Sequence, residues 1–116
     1  MSPQFLVTDL ERSIKFYTGL LAFDLDFRYE DFYAGISNNG HSIHLKIGTA
    51  SVEERNRKQR NQDLDIFFSV DSIESLFQEF KNKSIPFLQP LRTMEYGKEF
   101  YITDPDGYIL GFVETN

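Results

Sequence analysis

The order of apolar and polar positions at the start of the chain predicts a strand followed by a helix. Residues 4–7, QFLV, form a short strand-like run, and Thr8 or Asp9 can cap the helix that follows. Gly19 predicts that this helix ends there or shortly after. Four side chains at three- and four-residue spacing share its apolar face, namely Leu10, Ile14, Tyr17 and Leu21.

The next stretch changes to a strand-like period. Aromatic or aliphatic residues alternate with polar ones through "FDLDFRYEDFYAGISNNGHSIHLKIG", and the Asn-Asn-Gly sequence at 38–40 is typical of a hairpin turn. This alternation predicts two or three antiparallel strands.

The same pattern begins again after residue 62. An apolar strand is predicted at 66–70, and Asp71 or Ser72 can cap a helix with an apolar face. Further strands flank the turn at 104–107, so each half reads βαβββ. A shift of 63 positions superposes the two halves, which places Val7 on Val70, Leu10 on Ile73, Glu11 on Glu74, Ile14 on Phe77 and Tyr17 on Phe80.

A charged segment, "TASVEERNRKQRNQ", separates the two halves. Val52 is its one aliphatic residue of any size, so it is predicted to be a solvated linker or an exposed helix. We therefore expect one domain, 1–116, made of a first module at 1–48, a charged linker at 49–62 and a second module at 63–116.

Composition narrows the function classes. Hydrophobic residues make up 41% and aromatic residues 16% of the chain, which is enough for a core with aromatic side chains to spare for a ligand cavity. The formal charge of -6 argues against nucleic acid as a partner, and the absence of cysteine excludes disulfides and thiolate chemistry. Without a leader-like N-terminus or an apolar run of roughly 20 residues, we expect a cytoplasmic protein that does not contact membranes.

Two segments, "VTDLERSIKFYTGLLAF" and "FYITDPDGYILGFVE", resemble the signature regions of the vicinal oxygen chelate superfamily. This superfamily includes glyoxalases, bleomycin-resistance proteins and extradiol dioxygenases, and the chain is most similar to its small bleomycin-resistance-like members. The resemblance implies an α+β fold in which two βαβββ modules form a curled mixed sheet around a cavity. It also implies a homodimer.

The resemblance places metal ligands on the first and last strand of each module. Those positions are Ser2, His44, Asp65 and Gly111 in this sequence. Glycine has no ligating side chain, and serine is a poor ligand for most divalent metals. The remaining pair, His44 and Asp65, is a smaller set than a catalytic zinc or iron site uses, so we expect no cofactor and keep a divalent metal as the alternative.

Two further carboxylate sites are predicted to be structural. Asp104 and Asp106 flank Pro105 in a tight turn, where Asp caps backbone amides. Glu114 lies an odd number of residues beyond Gly111, so it should face the opposite side of the strand and be solvated.

Strand parity and the surplus of aromatic residues select the candidate ligand-binding residues. Parity turns Phe5, Val7, Phe68 and Val70 towards the helices, and the missing side chain at Gly111 is expected to leave room for a ligand. Catalytic residues are not identified. The candidate ligand-binding set is Gln4, Leu6, Phe32, Tyr33, His44, Phe67, Tyr101 and Gly111.

Two functions of different class follow. The first is a non-catalytic protein that binds a small aromatic or cationic molecule in the cavity without a complete metal site. The second is a metal-dependent lyase, thiol transferase or dioxygenase acting on a substrate with vicinal oxygens, with the metal at His44 and Asp65. A third possibility is a vestigial pocket on a protein whose dimer surface matters more.

Overall fold

The computed structural model describes residues 2–116 and contains the two predicted βαβββ modules. Contacts between Cα atoms divide the chain into two compact units, Met1–Glu54 and Arg55–Asn116. The first unit contains β1 (Gln4–Val7), α1 (Leu10–Lys15) extended by a π-helical turn (Phe16–Leu20), β2 (Asp24–Tyr29), β3 (Tyr33–Asn38) and β4 (His41–Ile47). Helix α2 (Val52–Asn61) spans the division, and the second unit continues with β5 (Ile66–Ser69), α3 (Ile73–Asn82), β6 (Phe87–Met94), β7 (Gly97–Thr103) and β8 (Ile109–Thr115).

Each unit has one four-stranded mixed sheet with the same strand order. The orders are β1-β4-β3-β2 and β5-β8-β7-β6; the first and last strands of each module pair in parallel, and their other neighbours pair antiparallel. Such a pair needs a crossover connection, which α1 and α3 begin. In this register Gln4 lies opposite His44, and Phe67 lies opposite Gly111. The α+β fold and the internal repeat are therefore confirmed.

One face of each sheet packs beneath its helix. In the first unit, Ile36, Ile43 and Leu45 are fully buried. In the second unit, Phe100 is fully buried and Phe112 is nearly so. Phe100 and Phe112 stack with ring centroids 5.1 Å apart, and Phe80 of α3 meets Phe112 edge-on at 5.3 Å. These contacts form an aromatic core between helix and sheet. Phe5, Val7 and Phe68 are also buried, as parity predicted, whereas Val70 is half-buried.

The two helices of the repeat begin in different ways. The predicted cap of α1 is confirmed, because Asp9 accepts a hydrogen bond from the Arg12 N–H at 3.1 Å. Ser72 occupies the corresponding position before α3, but its hydroxyl caps none of the helix amides within residues 2–116. A carboxylate oxygen of Glu114, on β8, accepts from the Ile73 N–H instead, at 2.9 Å. The prediction of a solvated Glu114 was wrong, since a helix start leaves amides that a nearby carboxylate can satisfy.

Both predicted turns are confirmed. Residues 38–40 connect β3 to β4 as a hairpin in which Asn38 pairs with His41. At the second turn, the Asp104 carboxylate accepts from the N–H groups of Asp106 and Tyr108, each at 2.9 Å. Gly107 has a φ of 89°, which few other residues adopt. The predicted structural role of Asp104 is confirmed.

The charged segment at 49–62 was predicted to be either a solvated linker or an exposed helix. It contains α2 and is therefore helical. From Arg55 onwards the helix belongs to the second unit, where Arg55 donates to Asp65 at 2.7 Å and lies 4.3 Å over the Tyr108 ring. Gln59 also donates to the Gly107 carbonyl at 3.3 Å. Arg55 is consequently buried in an otherwise exposed helix.

We expect Glu114→Ala to lower the free energy of unfolding by about 1 kcal/mol, the usual value of a helix cap. The loss arises because the Ile73 N–H of α3 would lose its acceptor. Urea denaturation followed by circular dichroism measures it, with Ser72→Ala as the matched control that leaves stability nearly unchanged. A loss in Ser72→Ala equal to that in Glu114→Ala would show that the serine is the cap after all.

Candidate functional site

Three aromatic rings and a histidine lie together on the sheet face of the first unit that is turned away from α1. We call this group, Phe27, Tyr29, Tyr33 and His44, the aromatic face. Phe27 and Tyr33 have centroids 6.0 Å apart and planes within 14°, and Phe27 meets His44 edge-on at 5.4 Å. Tyr29 lies 6.4 Å from Tyr33 and is 60% exposed.

A bulge and a glycine allow this cluster to form. The pairing of β2 with β3 shifts register between Leu25 and Phe27, which places Phe27 opposite Gly35. A Cβ atom at Gly35 would lie 2.2 Å from Cε1 of Phe27, so a larger residue would displace the ring. The bulge also changes which β2 side chains share the face.

Tyr33 and His44 form the polar edge of the aromatic face. The tyrosine Oη lies 2.7 Å from His44 Nδ1, and the rings are 5.5 Å apart. This bond uses Nδ1 and leaves Nε2 for another partner. The edge therefore offers a hydrogen-bonding group beside flat apolar surface.

The other residues predicted for binding in the first unit are not members of the aromatic face. Gln4 is exposed on β1 opposite His44, and Leu6 is half-buried opposite Lys46. Phe32 is exposed and lies in the turn between β2 and β3. Sequence reasoning selected Tyr33 and His44 but missed Phe27 and Tyr29, because the bulge in β2 decides which of its residues lie opposite Gly35 and Tyr33.

In the second unit, Gly111 occupies the place that His44 has in the first. Phe67 lies opposite it on β5 and is largely exposed, while Tyr101 lies opposite it on β7. A Cβ atom at Gly111 would lie 2.7 Å from Cδ1 of Leu64 and 3.4 Å from Cδ1 of Tyr101. The expectation of free room at Gly111 was wrong, because these two side chains cover the glycine.

A buried carboxylate that sequence reasoning did not select lies on the same sheet face as Gly111. Glu99 is 2% exposed and accepts from Arg92 Nε at 2.8 Å, Arg92 Nη2 at 2.5 Å and Tyr101 Oη at 2.8 Å. Tyr96 also donates to it. We call Arg92, Tyr96, Glu99 and Tyr101 the Glu99 cluster. Strand alternation could have identified Glu99, because it lies two residues before Tyr101 on β7 and Tyr101 lies opposite Gly111.

The hydrogen bonds of the Glu99 cluster decide its charge states. Burial alone would raise the pKa of Glu99, but donation from Tyr96, Arg92 and Tyr101 outweighs burial and holds that pKa below its ordinary value. Donation to Glu99 raises the pKa of Tyr96 to about 12. At neutral pH the cluster is thus an anionic carboxylate held by a guanidinium and two neutral phenols.

Asp65, the other acidic candidate, is bound by groups of its own unit. Arg55 and the Ile109 N–H donate to Oδ2 and Lys58 donates to Oδ1, each at 2.7 Å. Burial alone would raise the pKa of Asp65, but these three donors hold it below its ordinary value. The ionised carboxylate thereby joins α2 to the start of β8.

The residues at the four family ligand positions do not fit a divalent metal. Gly111 has no donor, both oxygens of Asp65 are bound by protein groups, and the Ser2 hydroxyl is hydrogen-bonded to that of Ser42. Among residues 2–116, no three His, Cys, Asp or Glu side chains come together as a group that would hold a metal ion. His44 alone, tied to Tyr33 through Nδ1, is too small a ligand set.

We expect Asp65→Asn to lower the free energy of unfolding at neutral pH by about 3 kcal/mol. The substitution would leave the charges of Arg55 and Lys58 beside a neutral side chain at position 65. A lowered folded-state pKa means that the ion pairs stabilise the protein above the unfolded-state pKa, about 3.9. This stabilisation is lost as the pH falls through the lower folded-state pKa. The stability difference between wild type and Asp65→Asn should therefore shrink below about pH 4.

Urea denaturation across an acid pH series measures this difference. Asp63→Asn is the matched control, since its bond to Arg57 is an exposed pair at 3.3 Å that contributes little. A wild-type advantage that stays constant down to low pH would disprove the role given to the Asp65 charge.

Comparisons with known proteins agree with this fold. A sequence model of the Glyoxalase/Bleomycin resistance protein/Dioxygenase superfamily matches residues 3–112. No curated protein sequence matches the chain significantly. No helix in residues 2–116 is long and apolar enough to cross a bilayer.

Solved structures from bacteria share the fold at low sequence identity. A bleomycin-binding protein from Streptomyces verticillus, in complex with copper(II)-bleomycin, is 17% identical with a TM-score of 0.73, covering 100% of this chain and 95% of its own. A lactoylglutathione lyase from Agrobacterium tumefaciens is 15% identical with a TM-score of 0.76, covering 98% and 91%. A genomically encoded fosfomycin resistance protein from Listeria monocytogenes is 13% identical with a TM-score of 0.75, covering 100% and 92%.

The repeated βαβββ topology, the parallel pairing of first and last strands and a family match over nearly the whole length lead to one assignment. The chain belongs to the glyoxalase/bleomycin resistance protein/dioxygenase superfamily.

Proposed function

We propose that this protein binds a small aromatic or cationic molecule on the aromatic face of its first unit, without a complete metal site and without catalysing a reaction on it. The observation that carries the proposal is the grouping of Phe27, Tyr29 and Tyr33 with His44 on the sheet face opposite the helix. The same face of the second unit is covered at Gly111 by Leu64 and Tyr101.

The geometry of the rings supports a flat ligand. Phe27 and Tyr33 lie nearly parallel, and Gly35 lets the Phe27 ring lie close against the sheet. Tyr29 keeps most of its surface accessible, so a ligand stacked there would bury apolar area from both partners. A planar aromatic molecule is the shape that gains most from such a surface.

The charges support a cation. Ring faces carry negative electrostatic potential and attract cations, and the formal charge of -6 raises the local concentration of cations around the whole chain. His44 Nε2 and the Tyr33 hydroxyl add polar groups that can orient the ligand.

The alternative function, a metal-dependent lyase, thiol transferase or dioxygenase, has less support. It needs a ligand set at the family positions, where Gly111 has no donor and Asp65 is bound by Arg55 and Lys58. One structural relative is named as a bleomycin-binding protein, which is in line with binding as a family function. A cytoplasmic location and a homodimer stay predictions from the sequence and the family resemblance.

We expect the wild-type protein to bind N-methylquinolinium more tightly than quinoline, its neutral counterpart of similar shape, in isothermal titration. Tyr33→Leu should weaken binding of the cation about tenfold, because it removes one ring of the stack. Tyr33→Phe is the matched control, since it keeps the ring and loses only the hydroxyl bonded to His44, so its affinity should stay within about threefold. Equal affinity in wild type and Tyr33→Leu, with both folded by circular dichroism, would refute binding at the aromatic face.

We expect elemental analysis of purified, tag-free protein to find no stoichiometric divalent metal. The reason is that the residues at the family ligand positions provide too few free donors. His44→Ala should leave the metal content unchanged. Near-stoichiometric metal that disappears in His44→Ala would instead favour the metal-dependent enzyme, and substrates with vicinal oxygens should then be screened.

A further inference from the structure

The Glu99 cluster in the second unit has features of a binding site for a cation. Its carboxylate is almost completely shielded from solvent, yet it lies on the sheet face that does not pack against α3. A buried carboxylate requires a positive partner, and here the partner is the guanidinium of Arg92. The two tyrosine hydroxyls complete its hydrogen bonding.

Arg92 is the most accessible member of the ion pair. Its side chain is 33% exposed, against 3% for the side chain of Glu99. It comes from β6, the edge strand of the sheet, and the pairing of β6 with β7 shifts register between Gln89 and Arg92. Pro90, in the same stretch, has no amide hydrogen for a ladder bond. The arginine therefore reaches the carboxylate from an irregular strand at the edge of the sheet.

The contacts of Arg92 resemble those of a bound planar cation. Nε and Nη2 both donate to one oxygen of Glu99, and the guanidinium lies 5.4 Å over the Tyr101 ring. Nη1 donates to the side-chain oxygen of Gln89 at 3.2 Å. Charge-assisted hydrogen bonds to a carboxylate and contact with an aromatic face are the two interactions by which proteins recognise guanidinium groups.

Hydrogen bonds other than those of Arg92 also hold the Glu99 carboxylate. Tyr96 and Tyr101 donate to different oxygens of Glu99, and Tyr101 and Glu99 alternate on the same strand opposite Gly111 and Val113. If Arg92 moves outwards, it leaves an oriented carboxylate beside the Tyr101 ring. The space left behind would have the size of a guanidinium group, and the negative charge of Glu99 would complement the positive charge of such a group.

We propose that Glu99, Tyr96 and Tyr101 form a binding subsite for a guanidinium or amidinium group, and that Arg92 occupies this subsite as an internal ligand until an external cation replaces it. The subsite consists of residues of the second unit, whereas the proposed function rests on the aromatic face of the first unit. No covalent step is involved, because one cation exchanges for another on the same carboxylate.

The test uses the full-length Arg92→Ala variant titrated with methylguanidinium at millimolar concentration. The thermal midpoint and the NMR signals of Tyr96 and Tyr101 report binding. Arg92→Ala should show saturable binding and a rise in thermal midpoint, whereas methylurea, a neutral molecule of similar shape, should give neither. Wild type should bind methylguanidinium at least about tenfold more weakly, because Arg92 competes for the carboxylate.

Two variants serve as controls. Arg57→Ala removes an exposed arginine that is bonded to Asp63 on the surface, so methylguanidinium should not stabilise it more than it does wild type. Arg92→Ala combined with Glu99→Gln removes the negative charge and should abolish binding. Saturable binding that survives in this double variant, or no binding by folded Arg92→Ala, would overturn the proposal.

A measurement on the wild-type protein keeps the proposal testable if Arg92→Ala does not fold. Phenylguanidinium and N-acetylarginine amide are titrated separately while the Arg92 Nε–H signal is followed by NMR. A saturable shift of that signal supports displacement, and the tighter of the two compounds indicates whether the group belongs to a small aromatic ligand or to an arginine of a peptide. An unchanged Arg92 signal with both compounds would show that Arg92 is a permanent structural partner of Glu99.

Discussion

The parallel pairing of the first and last strand in each unit is the constraint on which the rest of the structure depends. It places Gln4 opposite His44 and Phe67 opposite Gly111, so positions 44 and 111 are equivalent in the two copies of the repeat. Because alternate residues of a strand face opposite sides, this register determines which side chains enter the core under the helix. The remaining residues lie on the sheet face that is turned away from the helix, which carries the aromatic face in the first unit.

The two copies fill that opposite face in different ways. In the first unit the small residue of the cross-strand pair is Gly35 on β3 and the large one is His44 on β4. In the second unit the large residue is Tyr101 on β7 and the glycine is Gly111 on β8. The first arrangement lets the Phe27 ring pack against the sheet beside a histidine, while the second covers the glycine with Leu64 and Tyr101. One repeated backbone thus carries an aromatic surface in one copy and a polar cluster in the other.

Two carboxylates of the second unit are neutralised by cations of the same unit. Asp65 is held by Arg55 and Lys58, and Glu99 is held by Arg92. A buried charge without a partner costs several kcal/mol, so each of these two carboxylates needs a cationic partner in the folded protein. In the metal-dependent relatives implied by the family resemblance, carboxylates bind a metal ion, whereas Asp65 and Glu99 of this unit bind protein cations. This difference supports the proposed binding function over the metal-dependent alternative.

The sequence by itself determined the two βαβββ modules, the turns at 38–40 and 104–107, a helix cap at Thr8 or Asp9 and the lack of a ligating side chain at Gly111. These features depend on local patterns: the period of apolar residues, the chemistry of turn residues and the spacing of the repeat. The tertiary structure alone decided that Phe27 joins the aromatic face, that Leu64 covers Gly111, that Glu114 caps α3 and that Glu99 is buried with Arg92. A bulge changes the parity of every residue beyond it, and partners distant along the chain meet only when strands and helices pack, so no local pattern contains this information.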